Sequence, residues 1–341
     1  MPLAIPFPSW IHPEIFPGVP VLQYIRWYGL MYICAFAIAY TVFTRQMKEG
    51  ILNRKGYTAT ADDAMSFFTW AILGLLLGAR LFSVLIYDTS DMYRQKPWLI
   101  FWPFDSNMRF TGRAGMSYHG GFAGCFLGTI LWCLKKKQPL FRWIDTIAVA
   151  IPLGYTCGRL GNFLNGELFG RVTTVPWGMI FPQAQKFSRS LPWVQDIIEK
   201  TGLSLPAGSA LVNLPRHPSQ LYEALFEGIV LFLFLWFLRK RKPFDGFLSG
   251  MYIIGYGVVR FVIEYFREPD AEIGYRITAV DAPTYFNESL LNISTGQVLC
   301  FCMIAIGLLV MLGTWLWYKK HPIDEVPALQ KSTPQRRRHS K

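Results

Sequence analysis

Apolar residues gather into seven long runs, at residues 27–43, 65–87, 116–134, 141–161, 218–238, 247–266 and 296–318, each holding few charges or none. About 20 consecutive apolar residues are enough for a helix to span a bilayer. The pattern therefore predicts an all-α polytopic membrane protein of about seven transmembrane helices. The connections between the runs alternate in character. Those at 44–63, 135–140 with Arg142, 239–242 and the tail 319–341 hold nineteen lysines and arginines, and the positive-inside rule puts them in the cytoplasm. The opposite side receives the N-terminus and the connections 88–115, 168–217 and 267–295, rich in proline, glycine and tryptophan.

This topology predicts three regions: an interfacial arm (1–23), a membrane domain (24–318) and a basic, disordered cytoplasmic tail (319–341). Within the membrane domain, 168–217 is long enough for a small extracytoplasmic subdomain. Its stretches TTVPWGMIFPQ and SLPWVQDIIEK predict a strand or two and a short helix. The first eighteen residues lack a basic stretch and are too proline-rich for a cleaved signal peptide. No internal repeat divides the chain into similar halves, which argues against the common transporter architectures.

Composition changes this picture little. Of the 341 residues 52% are hydrophobic, and the net charge of +12 lies mostly in short segments flanking the apolar runs, so it reads as topology and not as a nucleic-acid surface. The six cysteines sit in or beside apolar runs and read as small apolar residues. No HExxH motif or acidic cage points to a metal, and nothing points to a cofactor.

Candidate chemistry concentrates in GRLGNFLNGELFGR, residues 158–171, where Arg159, Asn162, Asn165, Glu167 and Gly170 follow a nearly uncharged run. Helical spacing puts Arg159 and Asn162 on one face. In GYGVVRFVIEYFREPD, Tyr256, Arg260, Glu264 and Arg267 also share a face. Combined with the predicted orientation, the rise of about 1.5 Å per helical residue carries Arg80, Arg159, Arg260, His119, Tyr28, Gln220, Glu223 and Gln297 toward the outer leaflet. An arginine near the bilayer centre costs roughly 2.5–3.5 kcal/mol on insertion scales, so a ligand, water or protein partners must compensate several at one depth. The simpler reading of Arg260 is snorkelling plus an Arg260–Glu264 pair, that of His119 is structural hydrogen bonding, and that of His217 is a cap at the start of the fifth helix, with a proline beside it.

These stretches, together with RWYGLMY, SYHGG and RHPSQLYE in the same order, resemble the prolipoprotein diacylglyceryl transferases of bacterial membranes from residue 13 to 318. The resemblance implies transfer of a diacylglyceryl group from phosphatidylglycerol to the lipobox cysteine of a prolipoprotein, at the outer face of the cytoplasmic membrane. Glycerol phosphate is released and a thioether remains. Matched residue by residue, it implies catalytic roles for His119, Arg159 and Arg260. It also matches Tyr28, Asn162 and Gly170, which with Arg80, Asn165, Glu167, Tyr256 and Glu264 from the spacing and depth argument make up the expected substrate-binding set. The implied partners are phosphatidylglycerol, membrane lipid and the prolipoprotein signal peptide, with no nucleic acid, metal or cofactor. Two other readings are a transporter or channel for an anionic lipid or solute, with the arginines as its selectivity cluster, and a sensor or scaffold. The polar groups cluster at one leaflet without lining a path inward, and no soluble signalling domain is evident.

Overall fold

The computed structural model describes residues 4–19, 25–87, 92–102, 116–206, 208–269, 274–281, 283–286 and 288–321. The tail beyond His321, much of the 88–115 connection and parts of the arm lie outside the described residues. The described residues fall into two compact units, the first made of residues up to Val42 and from Asp145 onward, the second of Phe43–Ile144.

In chain order come β1 (Ala4–Pro6), α1 (Trp27–Lys48), and α2 (Ala61–Phe82), which runs on into a π-helical turn, Ser83–Tyr87. Then follow α3 (Met92–Gln95), a 3-10 turn (Pro97–Ile100), α4 (Tyr118–Lys135) and α5 (Leu140–Leu164). The 168–217 stretch supplies β2 (Gly178–Ile180), β3 (Lys186–Ser188), α6 (Pro192–Thr201) and β4 (Leu211–Asn213). Helix α7 (Ser219–Glu223) widens into a π-helical stretch, Ala224–Val230, and continues as α8 (Leu231–Leu238). Helix α9 (Phe247–Ile263), β5 (Tyr275–Ile277), β6 (Ile293–Ser294) and α10 (Thr295–Lys320) complete the described chain.

Helices fill all seven apolar runs. Four of them, Trp27–Lys48, Ala61–Tyr87, Ser219–Leu238 and Thr295–Lys320, are long and apolar enough to cross a membrane, and α9 is a shorter apolar helix. The protein is thus a multi-pass membrane protein. Helices α4 and α5 are less apolar, because α4 contains Gly120, Gly121, Gly124, Gly128 and Lys135, while α5 contains Arg142, Asp145 and Arg159. The helix ends follow local chemistry. Thr60 with Asp63 and Ser294 with Gln297 form capping boxes that start α2 and α10.

In the second unit α2 lies along α4. A Cβ on Gly124 would collide with the carbonyl of Gly74, so glycine lets these backbones meet. Phe43, Phe67, Trp132 and Trp143 fill the core there, and the Trp132 indole donates to Ser66 Oγ at 2.9 Å.

In the first unit β1 pairs in parallel with β2, and Phe7 packs on Phe163 and Phe181. Strands β3 and β4 pair antiparallel, and around them Val172, Phe187, Val194, Ile197, Val212 and Leu214 form a small core of their own. Where α9 begins, the fully buried Asp145 of α5 accepts hydrogen bonds from Ser249 N, Ser249 Oγ and Gly246 N at 2.7–2.9 Å and pairs with Lys242 at 3.2 Å. A carboxylate is favoured there by the free amides and positive end of the α9 dipole.

Candidate functional site: a buried arginine–glutamate network

The first unit gathers most of the candidate residues around one carboxylate. Glu223, at the end of α7, is fully buried, and its Oε2 receives Arg159 Nε at 2.9 Å, Arg260 Nη1 at 3.0 Å and Arg267 Nη1 at 3.7 Å. Arg260 also pairs with Glu227 Oε1 at 3.5 Å and with Glu264 Oε2 at 3.3 Å. The internal Arg260–Glu264 pair expected from spacing is thus present within a larger network. Tyr155, one turn before Arg159 on α5, accepts from Arg159 Nε at 2.6 Å and donates to Glu227 Oε2 at 2.5 Å, with Glu223 Oε2 at 3.3 Å. Its ring also lies 4.7 Å from the Arg159 guanidinium carbon. The compensation that the arginines require comes from three buried glutamates, Glu223 and Glu227 on the α7 run and Glu264 at the end of α9.

The network reaches outward through the loop after α5. Arg159 Nη1 donates to Asn162 Oδ1 at 3.4 Å, Asn162 Nδ2 to Glu167 Oε1 at 2.9 Å, and Asn165 Nδ2 to the same oxygen at 3.4 Å. Gln220 Nε2 holds the Glu167 carbonyl at 2.6 Å, and Ser219 Oγ holds that of Leu168 at 3.2 Å. Leu168 has φ of +55°, a left-handed conformation that costs a non-glycine residue about 1–3 kcal/mol and persists only when neighbours fix it. Residues at the start of α7 therefore hold this loop.

The remaining candidates fall as follows. Tyr28 bonds Tyr32 through its hydroxyl at 3.1 Å and packs beside Gly161. Tyr256 meets Tyr155 edge to face, with centroids 5.9 Å apart. Gly170 is buried where three stretches of backbone cross: its amide donates to His217 O at 2.8 Å, and a Cβ there would strike Phe266 O. Glu264 also receives Ser294 Oγ at 3.2 Å, beside the start of α10. His119 and Arg80 belong to the second unit. His119 is exposed at the second position of α4, with Nδ1 3.4 Å from the Tyr87 hydroxyl. Arg80 donates to Ile100 O at 2.5 Å and to Tyr93 Oη at 3.1 Å.

Sequence reasoning passed over Tyr155 and Glu227 and left Glu223 and Gln220 undecided. The signals were present: Glu227 is the lone charge in 226–238, and Tyr155 precedes Arg159 by one helical turn. Outside the spans, burial and then the nearby Arg171 lower the His217 imidazole to about 4, and its Nδ1 lies 3.2 Å from Tyr222 Oη. This fits a structural histidine.

A sequence profile described as prolipoprotein diacylglyceryl transferase matches residues 19–313, which takes in every element of this network. The chain belongs to that family. Among its relatives, a phosphatidylglycerol–prolipoprotein diacylglyceryl transferase of Treponema denticola is 54% identical over 332 residues, covering 94% of this chain and 97% of that one. The enzyme of the same name from Treponema pallidum is 49% identical, covering 94% and 98%. That of Chlorobaculum tepidum is 42% identical, covering 92% of each chain. Likeness over nearly full length on both sides makes the transferase family a statement about the whole membrane protein and not about one motif.

Proposed function

We propose that this protein is a transferase that moves the diacylglyceryl group of phosphatidylglycerol onto the lipobox cysteine of prolipoproteins, the first step of bacterial lipoprotein maturation. The observation that carries the reading is the convergence of Arg159 and Arg260 on Glu223, in a chain whose relatives bear that activity in their names. A guanidinium presents a planar fork of donors and stays charged, which suits a lipid phosphate. Glu223 and Tyr155 engage Arg159 chiefly through Nε, so its outer edge serves the phosphate and Asn162.

The reaction is a displacement at the glyceryl carbon next to the phosphate. The thiol gives up its proton, sulfur forms the new C–S bond, and the C–O bond breaks toward glycerol phosphate. A free thiol has a pKa of about 8.5 and attacks as thiolate. His119 accepts its proton, and Arg159 and Arg260 stabilise the charge growing on the leaving phosphate. Asn162, Asn165, Glu167, Gly170, Tyr28, Tyr256, Glu264 and Arg80 shape the substrate site. The reading further assigns seven spans, the N-terminus outside, the C-terminus in the cytoplasm, and an inner-membrane site near the outer leaflet. Residues 1–23 form the arm, 168–217 the extracytoplasmic head and 319–341 the basic cytoplasmic tail.

The test is reconstitution of the purified protein with phosphatidylglycerol and a peptide bearing a lipobox cysteine. Thioether-linked diacylglyceryl peptide and released glycerol phosphate are expected in equal amounts. Folded protein that forms neither from these substrates would rule the reading out.

A further inference from the structure

The charges of the buried network cancel. Arg159, Arg260 and Arg267 stand against Glu223, Glu227 and Glu264, and Glu167 adds a negative charge one amide further out. A network neutral within itself has no charge to spare for an anionic headgroup, and an uncompensated charge in a buried site is expensive. Binding a phosphodiester therefore calls for one more positive charge, and a proton is the nearest source.

The geometry says where that proton goes. Glu223 Oε2 faces three guanidinium groups, so neutralising it would release Arg159, Arg260 and Arg267 together. Glu264 is held by Arg260 and Ser294 Oγ next to the N-terminus of α10, where the helix dipole favours an anion. Glu167 has two amide donors and is only partly buried. Glu227 is fully buried, yet among the described residues it has only the Tyr155 hydroxyl and a 3.5 Å contact to Arg260, a cation already shared with Glu223 and Glu264. The other titratable groups facing this region are Tyr256 of α9 and the Cys300 thiol of α10.

We infer that Glu227, bridged to Arg159 by the Tyr155 hydroxyl, takes up one proton from solution when an anionic phospholipid headgroup binds beside Arg159 and Arg260. Protonation leaves the three arginines facing two ionised glutamates, Glu223 and Glu264, so that the inner cluster, apart from Glu167, is one charge positive, the complement of a phosphodiester monoanion. Tyr155 makes the exchange local: its hydroxyl donates to the ionised carboxylate and can rotate to accept from the protonated one. Tyr155 and Glu227 are thus positioning residues that act through Arg159 and Arg260. The inference rests on the function proposed above for the same site.

Calorimetry on the full-length protein in phosphatidylcholine nanodiscs tests it, with short-chain phosphatidylglycerol titrated in buffers of different ionisation enthalpy. The wild type is expected to take up about one proton per lipid bound, so that affinity rises about tenfold per pH unit of acidification across the linked range. Short-chain phosphatidylcholine should produce no uptake. Glu227→Gln mimics the protonated state and should bind without uptake, its affinity flat with pH. Should that variant fail to fold, Tyr155→Phe keeps the ring and removes the donor that stabilises ionised Glu227, and uptake should fall well below one. Binding by the wild type without proton uptake overturns the inference. So does undiminished uptake in Glu227→Gln or, where that variant does not fold, in Tyr155→Phe. Peptide lipidation without proton uptake removes the linkage and leaves the proposed function; proton-linked binding without lipidation removes the function and leaves the linkage.

Discussion

Two buried charge clusters in the first unit differ in how completely their oxygens are used. At the start of α9, each oxygen of Asp145 has two partners among Ser249 N, Ser249 Oγ, Gly246 N and Lys242. Around Glu223 the acids are equally buried, but among the described residues Glu223 Oε1 and Glu227 Oε1 accept no hydrogen bond. The arginines beside them keep 15–18% of their side-chain surface exposed. The saturated cluster fastens one helix to another. The other holds cations in place, with carboxylate oxygens left over as acceptors. Burial of charge alone therefore does not separate the two clusters; unspent acceptor capacity beside partly open cations does.

The largest test of this contrast lies outside both clusters. If His119 removes the thiol proton, His119→Gln should lower turnover roughly 10²–10⁴-fold, with recovery as pH rises toward the thiol's own pKa. Superimposable pH–rate profiles of variant and wild type would leave all the chemistry to the arginine network. Next comes Arg159→Lys, which keeps the charge but loses the fork. Transfer should fall about 10²–10³-fold at unchanged protein abundance, and lipidation of the peptide measures it. Asp145→Asn should behave oppositely: breaking a buried pair costs about 3–5 kcal/mol of stability. The thermal midpoint in detergent should drop while activity per folded molecule stays at the wild-type level, and a selective loss of activity would erase the distinction.

Smallest is the effect of acid on His217. Its imidazole is held neutral in the fold down to about pH 4, whereas the unfolded chain protonates near the ordinary 6.5. The unfolded state then binds the extra proton first, so stability is complete above 6.5 and declines as pH falls toward 4, by up to about 1.4 kcal/mol per unit. Replacement by glutamine should flatten the thermal midpoint over that window. A midpoint equally pH-dependent in the variant would assign the acid sensitivity to other groups.

Much of this was legible in the sequence because bilayer solvation writes itself into long apolar runs. The run 247–266 became Phe247–Ile263 and 296–318 became Thr295–Lys320, shifts of at most three residues at any end. Arg159 with Asn162 and Arg260 with Glu264 were readable from helical spacing, since each pair lies within one turn. The Arg159–Glu223 and Tyr155–Glu227 contacts were not, because they join positions 64 and 72 residues apart whose pairing depends on how separate helices pack. Helical rise gives depth but not rotation about the helix axis, so the sequence puts Arg80 and His119 at one level without showing what their side chains face. In the structure Arg80 donates to Ile100 O and to Tyr93 Oη.

The π-helical stretch Ala224–Val230 gives the protein a tolerance of chain length that no substitution would reveal. Its i→i+5 bonding takes up about one residue more than ordinary α-helical winding would, and such stretches are frequent at functional sites. Deleting one residue within it would let the run wind as a plain α-helix, and everything on the far side would keep nearly its present facing. Leu231 and Leu235 would stay buried with Val149 and Leu248. What would change is the offset of Glu227 from Glu223, so an alignment gap of one position here would touch the acid pair and spare the span that carries it.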